Sequence, residues 1–327
     1  IGGRLDYQHK THLDGEILTL SYMLAATRQH SIFRQMYNNM VNFPVNYTSY
    51  DQNTRERFTE HTFQIDYVRP FGKHHKIESG TKYILRYNNS TSLMDYQGTT
   101  PDMESKFKHN AQVAAAYLSY IFTAGKWAAR AGLRYEFTRM KASYPDGSNA
   151  DYHANLNDWV PSASLQYKIS DSQTLKFSYN TSINRPGIGY LNPAIISTPT
   201  AVSFGNANLG SSRNQKLQLV YMLVTSKLTL QLSPYYSFTN NGIGRILYEQ
   251  NRKDVSTYQN VLKSKDFGIS SYTEWTPFTG TSFTLNASMR YARITLPTPY
   301  LKNSGCGGGI YFNWEQKIPW ELTLTTS

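Results

Sequence analysis

Segments that alternate apolar and polar residues, separated by gaps that are by turns short and long, constrain this chain more than any other feature. In one segment Trp127, Ala129, Ala131, Leu133, Tyr135 and Phe137 are apolar, and Ala128, Arg130, Gly132, Arg134, Glu136 and Thr138 lie between them. A period of two puts each set on its own face of an extended strand. One face is then wholly apolar, and the other carries two arginines and a glutamate. Leu18, Leu20, Tyr22 and Leu24 repeat the pattern, as do Phe63, Ile65 and Tyr67, Leu217, Leu219, Tyr221 and Leu223, and Phe283, Leu285, Ala287, Met289 and Tyr291. Tyrosine and tryptophan recur at the ends of the apolar faces.

The pattern predicts about fourteen strands. They cover 1–9, 16–27, 61–71, 77–88, 109–123, 127–141, 158–169, 174–183, 214–225, 228–239, 257–277, 281–294, 304–316 and 320–327. In 109–123 Ala and Tyr fall on both faces, so its facing is open. Tight turns are expected near Lys10–Gly15, Gly72–Lys76, Ala124–Lys126, Ser170–Gln173, Ser226–Lys227, Phe278–Gly280 and Lys317–Pro319. Between these turns lie long gaps read as loops: 28–60, 89–108, 142–157, 184–213, 240–256 and 295–303. A soluble Greek-key sandwich has no reason to sort its loops by end. An up-and-down outer-membrane barrel does, with short periplasmic turns, long extracellular loops, an outward apolar band and a wet lumen.

Composition agrees once that architecture is allowed. The mean hydropathy is −0.53 and the chain holds 26 tyrosines in 327 residues. No run approaches the ~18 apolar residues of a membrane helix, but barrel strands with one polar face hide their span from hydropathy. The formal net charge is +11. Its basic residues do not form the single stripe that nucleic-acid binding requires, so no nucleic-acid partner is expected. Cys306 is alone, which excludes a disulfide framework and a cysteine zinc site. His9, His12, His74 and His75 lie at turns and are read as solvated; no metal and no cofactor are assigned.

The sorting of gaps places both ends of this chain on the cell-surface side, whereas a complete barrel brings both termini to the periplasm. The expectation is therefore an incomplete barrel domain over 1–327, part of a larger chain.

A more specific signal lies in 178–222. It reads Ser178-Tyr179-Asn180-Thr181-Ser182-Ile183-Asn184-Arg185-Pro186, then Leu191-Asn192-Pro193, then Phe204-Gly205-Asn206-Ala207-Asn208-Leu209, before a new amphipathic strand from Gln215. This resembles the barrel of TonB-dependent receptors, where an Arg-Pro step closes a strand and an Asn-Pro and a Gly-Asn-Pro-x-Leu loop follow. Asp66-Tyr67-Val68-Arg69-Pro70-Phe71-Gly72-Lys73 and Gly132-Leu133-Arg134-Tyr135-Glu136 resemble the Bacteroidetes outer-membrane barrels in style. Two departures stand out: Ala207 replaces the family's proline, and Gly210-Ser211 its Pro-Glu. The resemblance implies a barrel closed by about 22 strands around a plug. It also implies a bacterial outer-membrane location, outer-membrane lipid as neighbour, and a TonB-type energy-transducing partner reached through a plug outside this sequence. Arg185, Pro186, Asn192, Pro193, Gly205 and Asn206 are its family-motif residues.

Glu78, Lys82, Arg86, Arg130, Arg134, Glu136, Gln166 and Lys168 fall on the polar face and are the expected lumen lining. They read either as a solvated, mutually paired wall or as a contact surface for a plug or an anionic solute. Asp151, His153, Asp158 and His109 sit near the rims, where outer-membrane hydrolases carry catalytic groups. No nucleophile stands in a marked context, and no enzyme activity is expected. Gly305-Cys306-Gly307-Gly308-Gly309 lacks the Lys-Ser/Thr of a phosphate loop and reads as strand. The function expected is uptake of a bulky solute. The alternative is a non-transporting barrel that anchors a surface complex, with a surface lipoprotein as partner.

Overall fold

A computed structural model describes residues 1–38, 46–147, 151–191, 196–197, 201–297, 300–318, 320 and 322–326. Sixteen strands form one sheet. Fourteen follow one another as antiparallel neighbours in chain order: β1 (Gly2–Lys10), β2 (Ile17–Met36), β3 (Tyr47–Phe71), β4 (His75–Gly98), β5 (Met103–Ala124), β6 (Trp127–Ser143), β7 (Tyr152–Lys168), β8 (Gln173–Asn184), β11 (Ser212–Val224), β12 (Leu228–Gln250), β13 (Lys253–Trp275), β14 (Thr281–Pro297), β15 (Tyr300–Ile318) and β16 (Leu322–Thr326). Between β8 and β11 lie a short helix, α1 (Ile188–Leu191), and two small strands, β9 (Ile196–Ser197) and β10 (Ala201–Ser203). This is the up-and-down wall of a transmembrane barrel. Among the described residues β1 pairs only with β2, and β16 only with β15.

The register keeps the two faces separate across the wall. Leu133 stands opposite Leu118 and Pro161, Leu165 opposite Phe177, and Phe177 opposite Leu219. On the other face Glu136 stands opposite Ala115 and Asp158, and Gln218 opposite Ser178 and Tyr235. Leu118, Leu133, Leu165, Phe177 and Leu219 are each 39–56% exposed, which water would not tolerate over a whole wall but lipid requires. Segment 109–123, ambiguous in sequence, is settled: Ala111, Val113 and Ala115 are buried on the polar face, and Leu118 and Tyr120 are exposed on the apolar one.

Most of the long gaps are not mainly loops; 184–213 is. Strand β3 runs 25 residues and β12 and β13 run 23 each, against the roughly 9–11 needed to cross a bilayer. Residues 28–36 and 47–60 are paired strand, with Arg28 opposite Arg57 and Arg34 opposite Asp51. Gap 240–256 is a continuous hairpin that turns at Asn251 and Arg252, both with positive φ (53° and 59°), the geometry of a primed two-residue turn. The apolar alternation ends where the strands leave lipid, because both faces are then wet. The backbone ladder continues without it. The glycine run 305–309 is likewise strand, within β15 opposite β14.

Two glycines show close packing on the polar face. Tyr117 lies across Gly80 and donates to Asp66 at 2.6 Å; a Cβ on Gly80 would meet the Tyr117 ring and Asp66 Oδ1 at 2.6 and 2.7 Å. Tyr235 lies across Gly268 and donates to Asp266 at 2.8 Å in the same way. An aromatic ring over a strand glycine recovers contact the missing side chain would forfeit.

Candidate functional site

The polar face divides into two levels. Near the tight-turn end, Glu78 takes an ion pair from Arg130 at 2.7 Å and from Lys76 at 2.9 Å, and Arg130 also donates to Ser119 Oγ at 3.4 Å. Lys168 pairs with Asp171 in the β7–β8 turn at 2.8 Å. Lys82 stands opposite Gln64, and Gln166 opposite Lys176; among the described residues neither makes an ion pair or a side-chain hydrogen bond. A cavity of about 510 Å³ at this level is floored by Arg130, Ser162, Ser164, Lys176, Ser178 and Gln218. Ser162, Ser164 and Ser178 are short, Arg130 and Lys176 are long and charged, and the wall between them leaves room open.

Higher up, the charges converge. Glu136 accepts from Arg134 and is ion-paired with Arg185, the first residue beyond β8. Arg86 pairs with Glu60 at 2.5 Å. Burial, and then the positive neighbours Arg86 and Arg134, push the Arg185 guanidinium below its ordinary pKa. Glu136 between Arg134 and Arg185 offsets that repulsion. His109 is depressed too, by burial and by Arg86, and its Nε2 is buried without a hydrogen-bond partner.

Above this cluster the β8–β11 segment lies on the polar face. Leu191 (0% exposed) and Leu209 (2%) pack with Ala111, Met140, Ala142, Tyr152, Ala154 and Leu156. Pro186 is fully buried. Proline supplies a fixed φ and no donor to satisfy there. Strand β10 pairs parallel with β13, and Phe204 N donates to Ser256 O at 3.1 Å. The Gly-Asn step is held by its amide: Asn206 Nδ2 donates to Tyr258 O at 2.9 Å, its Oδ1 accepts from Asn208 N at 2.9 Å, and its backbone N donates to Tyr190 O at 2.6 Å. Asn260 grips Gly210 from both sides, accepting from its N at 2.8 Å and donating to its O at 3.0 Å. A β-bulge around Gly242 re-aims Asn241, which donates to Ser211 O at 2.8 Å and accepts from Arg213 N at 3.0 Å.

The departures from the resembled loop are accommodated. Ala207 packs against the apolar cluster, Asn260 holds Gly210, and Ser211 Oγ donates to the buried Asp158 at 2.6 Å. The segment therefore folds onto the wall at the mouth. Gly205 is buried and Arg185, Pro186, Gly205 and Asn206 all belong to this assembly. Asn192 and Pro193 lie outside the described residues.

The rim residues weighed for catalysis are separated. Asp158 is 2% exposed and engaged by Ser211 and Arg213, while His153 is exposed on the opposite face. Asp151 accepts from Tyr144 N. Among the described residues no three His, Cys, Asp or Glu side chains are grouped to hold a metal ion. Sequence reading missed Glu60, Asp66, Asp158 as a structural anchor, Asn241 and Asn260. Thr62, Gln64 and Asp66 alternate with Phe63, Ile65 and Tyr67 within the expected strand 61–71, so Asp66 was legible as an inward residue; Glu60 was not, because it fell in the gap read as a loop.

The model of the outer membrane protein beta-barrel family matches residues 9–327. The chain belongs to that family. It is a protein of the bacterial outer membrane. No curated protein matches it in sequence. Among solved structures it is similar in fold to the ferric yersiniabactin uptake receptor FyuA from Yersinia pestis (TM-score 0.62, 12% identity, 99% of this chain and 54% of that one). It is similarly close to the siderophore receptor PiuA from Acinetobacter baumannii (0.62, 12%, 99% and 59%) and to the ferric citrate transporter FecA (0.66, 10%, 99% and 55%). The chain thus spans little more than half the length of these proteins, and at such identity the likeness is one of fold.

Proposed function

We propose that this chain forms much of the barrel wall of a TonB-dependent receptor of the Bacteroidetes type, which admits a bulky solute across the outer membrane. The observation that carries the reading is the difference in level on the polar face. The mouth is closed down by the chain's own β8–β11 segment, while the level below it is floored by Arg130, Ser162, Ser164, Lys176, Ser178 and Gln218 around about 510 Å³ of space. A wall that leaves polar space open suits a separate folded plug or a passing solute; only in the narrowest barrels do side chains fill the interior. On this reading Glu78, Lys82, Arg86, Arg130, Arg134, Glu136, Gln166 and Lys168 line the lumen, and Arg185, Pro186, Gly205 and Asn206 shape its mouth. Fold likeness to siderophore and metal receptors supports the class, and a TonB-type partner would supply the energy. No catalytic role is assigned.

The test is growth and solute accumulation in isogenic strains lacking either the full-length protein or the TonB-type partner. A receptor loses uptake of the same solute in both. Unchanged uptake in both strains, with loss of a surface lipoprotein from the outer membrane, would establish the anchoring alternative instead.

A further inference from the structure

Among the described residues, buried side-chain polar atoms without a hydrogen-bond partner occur on Asn88, His109, Thr138, Tyr152 and Arg185 and on no other side chain. All five gather on the polar face at the mouth. Asn88 stands opposite His109, His109 opposite Ala142, and Ala142 opposite Tyr152. Thr138 shares its face of β6 with Ala142 above it and with Glu136 below, and Glu136 holds Arg185. Thr138 is 2% exposed and Tyr152 8%. What covers this level is the segment between β8 and β11, described at 186–191 and 201–211.

Docking of that segment is therefore a balance. Leu191 and Leu209 gain burial, and the amides of Asn206, Asn241 and Asn260 hold the chain. Against them stand polar groups that water satisfies when the segment lifts and nothing satisfies when it lies down. His109 adds a charge to that choice. Its ring stacks on Phe107, with centroids 6.4 Å apart and planes 4° from parallel, and Phe107 and Ala111 on either side of it belong to the docked core. From β4 it faces Asn88 and Arg86, and Arg86 is held by Glu60 of β3. From β6 come Ala142 and Tyr144, and from β7 Tyr152. Lys108 and Lys141 alternate onto the other face, and Asp151 accepts from Tyr144 N. Glu56, opposite Ser90, is exposed and two strands away on β3. A protonated ring meets Arg86 and no carboxylate of its own.

We propose that the β8–β11 segment is an acid-released latch, which lies across the mouth while His109 is neutral and lifts when His109 takes a proton. The orphaned groups set the docked state close in free energy to the lifted one. Its contacts are discrete, Asn206 on Tyr258 and Asn260 on Gly210, so the segment has two arrangements and no continuum between them. The sensor stands in the seat of the latch. Burial and Arg86 disfavour the charged ring there, so the lifted state binds the proton first, and release begins as the pH falls below about 6.5. The latch regulates the mouth that the receptor reading uses, but its docking is measured with no solute present.

The experiment follows hydrogen exchange by mass spectrometry in the full-length protein in vesicles, corrected for the intrinsic pH dependence of exchange. Protection of 201–211 should fall about tenfold or more between about pH 7.5 and about pH 5, while β6 and β7 below Tyr135 keep theirs. His109→Gln, neutral throughout, should flatten that profile. Tyr152→Phe and Thr138→Val remove orphaned hydroxyls, so each should raise protection of 201–211 about threefold or more at pH 7.5 and leave its pH dependence in place. If His109→Gln does not fold, the His109 ring followed by NMR in the wild type should titrate with the same midpoint as the loss of protection. Protection of 201–211 unchanged by acid, a His109→Gln profile like that of the wild type, or midpoints about a pH unit apart overturns the proposal. So does lower protection in both hydroxyl variants, or a loss shared equally by β6 and β7 below Tyr135. Uptake that proves independent of the TonB-type partner bears on the receptor reading alone.

Discussion

The two levels of the polar face are built differently. At the mouth, Ala111, Val113, Thr138, Met140, Ala142 and Leu156 are all below 8% exposed, because the β8–β11 segment lies on them. Lower on the wall, the same strands present Arg130, Gly132, Ser162 and Ser164 with no other described segment laid over them. The upper level is a hydrophobic core built on one side of a sheet; the lower is a wet floor. Sequence alternation alone treats the two as one polar face. What separates them is a segment far along the chain that docks by side-chain amides: Asn206, Asn241 and Asn260.

The sharpest way to break this comparison is to remove the docking. Leu191→Asp places an unpaired carboxylate at a fully buried point and should cost several kcal/mol, on the order of 3–5, in docking of the segment. Hydrogen exchange by mass spectrometry should show 201–211 losing protection while β6 and β7 below Tyr135 keep theirs. Protection unchanged at 201–211 would mean the mouth is not held by that core.

Next in size is the contrast between faces. Leu219→Arg should cost roughly 2–4 kcal/mol at mid-membrane, whereas Gln218→Arg should cost under about 1 kcal/mol. Urea titration of the folded protein in vesicles measures both. Comparable costs would erase the distinction between lipid wall and lumen wall.

Glu136→Gln takes the counter-charge from Arg134 and Arg185 together, and should destabilise the mouth by about 1–3 kcal/mol. A double variant with Arg185→Gln should recover part of the loss; strict additivity would show that the two side chains are not coupled.

The smallest effect is one of pH. His109 has a folded-state pKa below the ordinary 6.5, from burial and Arg86. The opened state then binds a proton first as pH falls. The contribution is fully present above about 6.5 and is lost on lowering the pH towards the folded pKa. Protection around Phe107–Ala111 should weaken across that window, and the His109 ring should titrate below 6.5 by NMR. A midpoint at or above 6.5 would place the ring in water.

Much of this was legible in residues alone. The period-two pattern from Trp127 to Phe137 carried the strand, its two faces and its neighbours, since nothing but facing decides which residues can be apolar there. The same alternation elsewhere marks the fourteen wall strands, and six of the expected tight turns fall between them; of the seventh, Lys317 and Ile318 are paired strand and Pro319 lies outside the described residues. The extensions were not legible. From Arg28 to Met36 both faces are in water, so no pattern survives, and only the backbone ladder to 49–57 holds the strand. The mouth was half legible: Arg185-Pro186 and Gly205-Asn206 marked the segment, but its docking depends on Asn260 and on a bulge that re-aims Asn241, and neither has a local signature. Glu136 was legible as an inward charge; Arg185 as its partner was not, because the ion pair joins β6 to a residue beyond β8.

The central claim is that one face of this wall meets lipid and the other encloses water. Spin labels placed singly along β11 from Leu217 to Val224, in full-length protein carrying Cys306→Ser and reconstituted in vesicles, test it directly. Accessibility to lipid-soluble oxygen should peak at Leu217, Leu219, Tyr221 and Leu223, and accessibility to a water-soluble nickel chelate at Gln218, Val220 and Met222. The same phase for both reagents, or oxygen maxima at the even positions, would contradict the account.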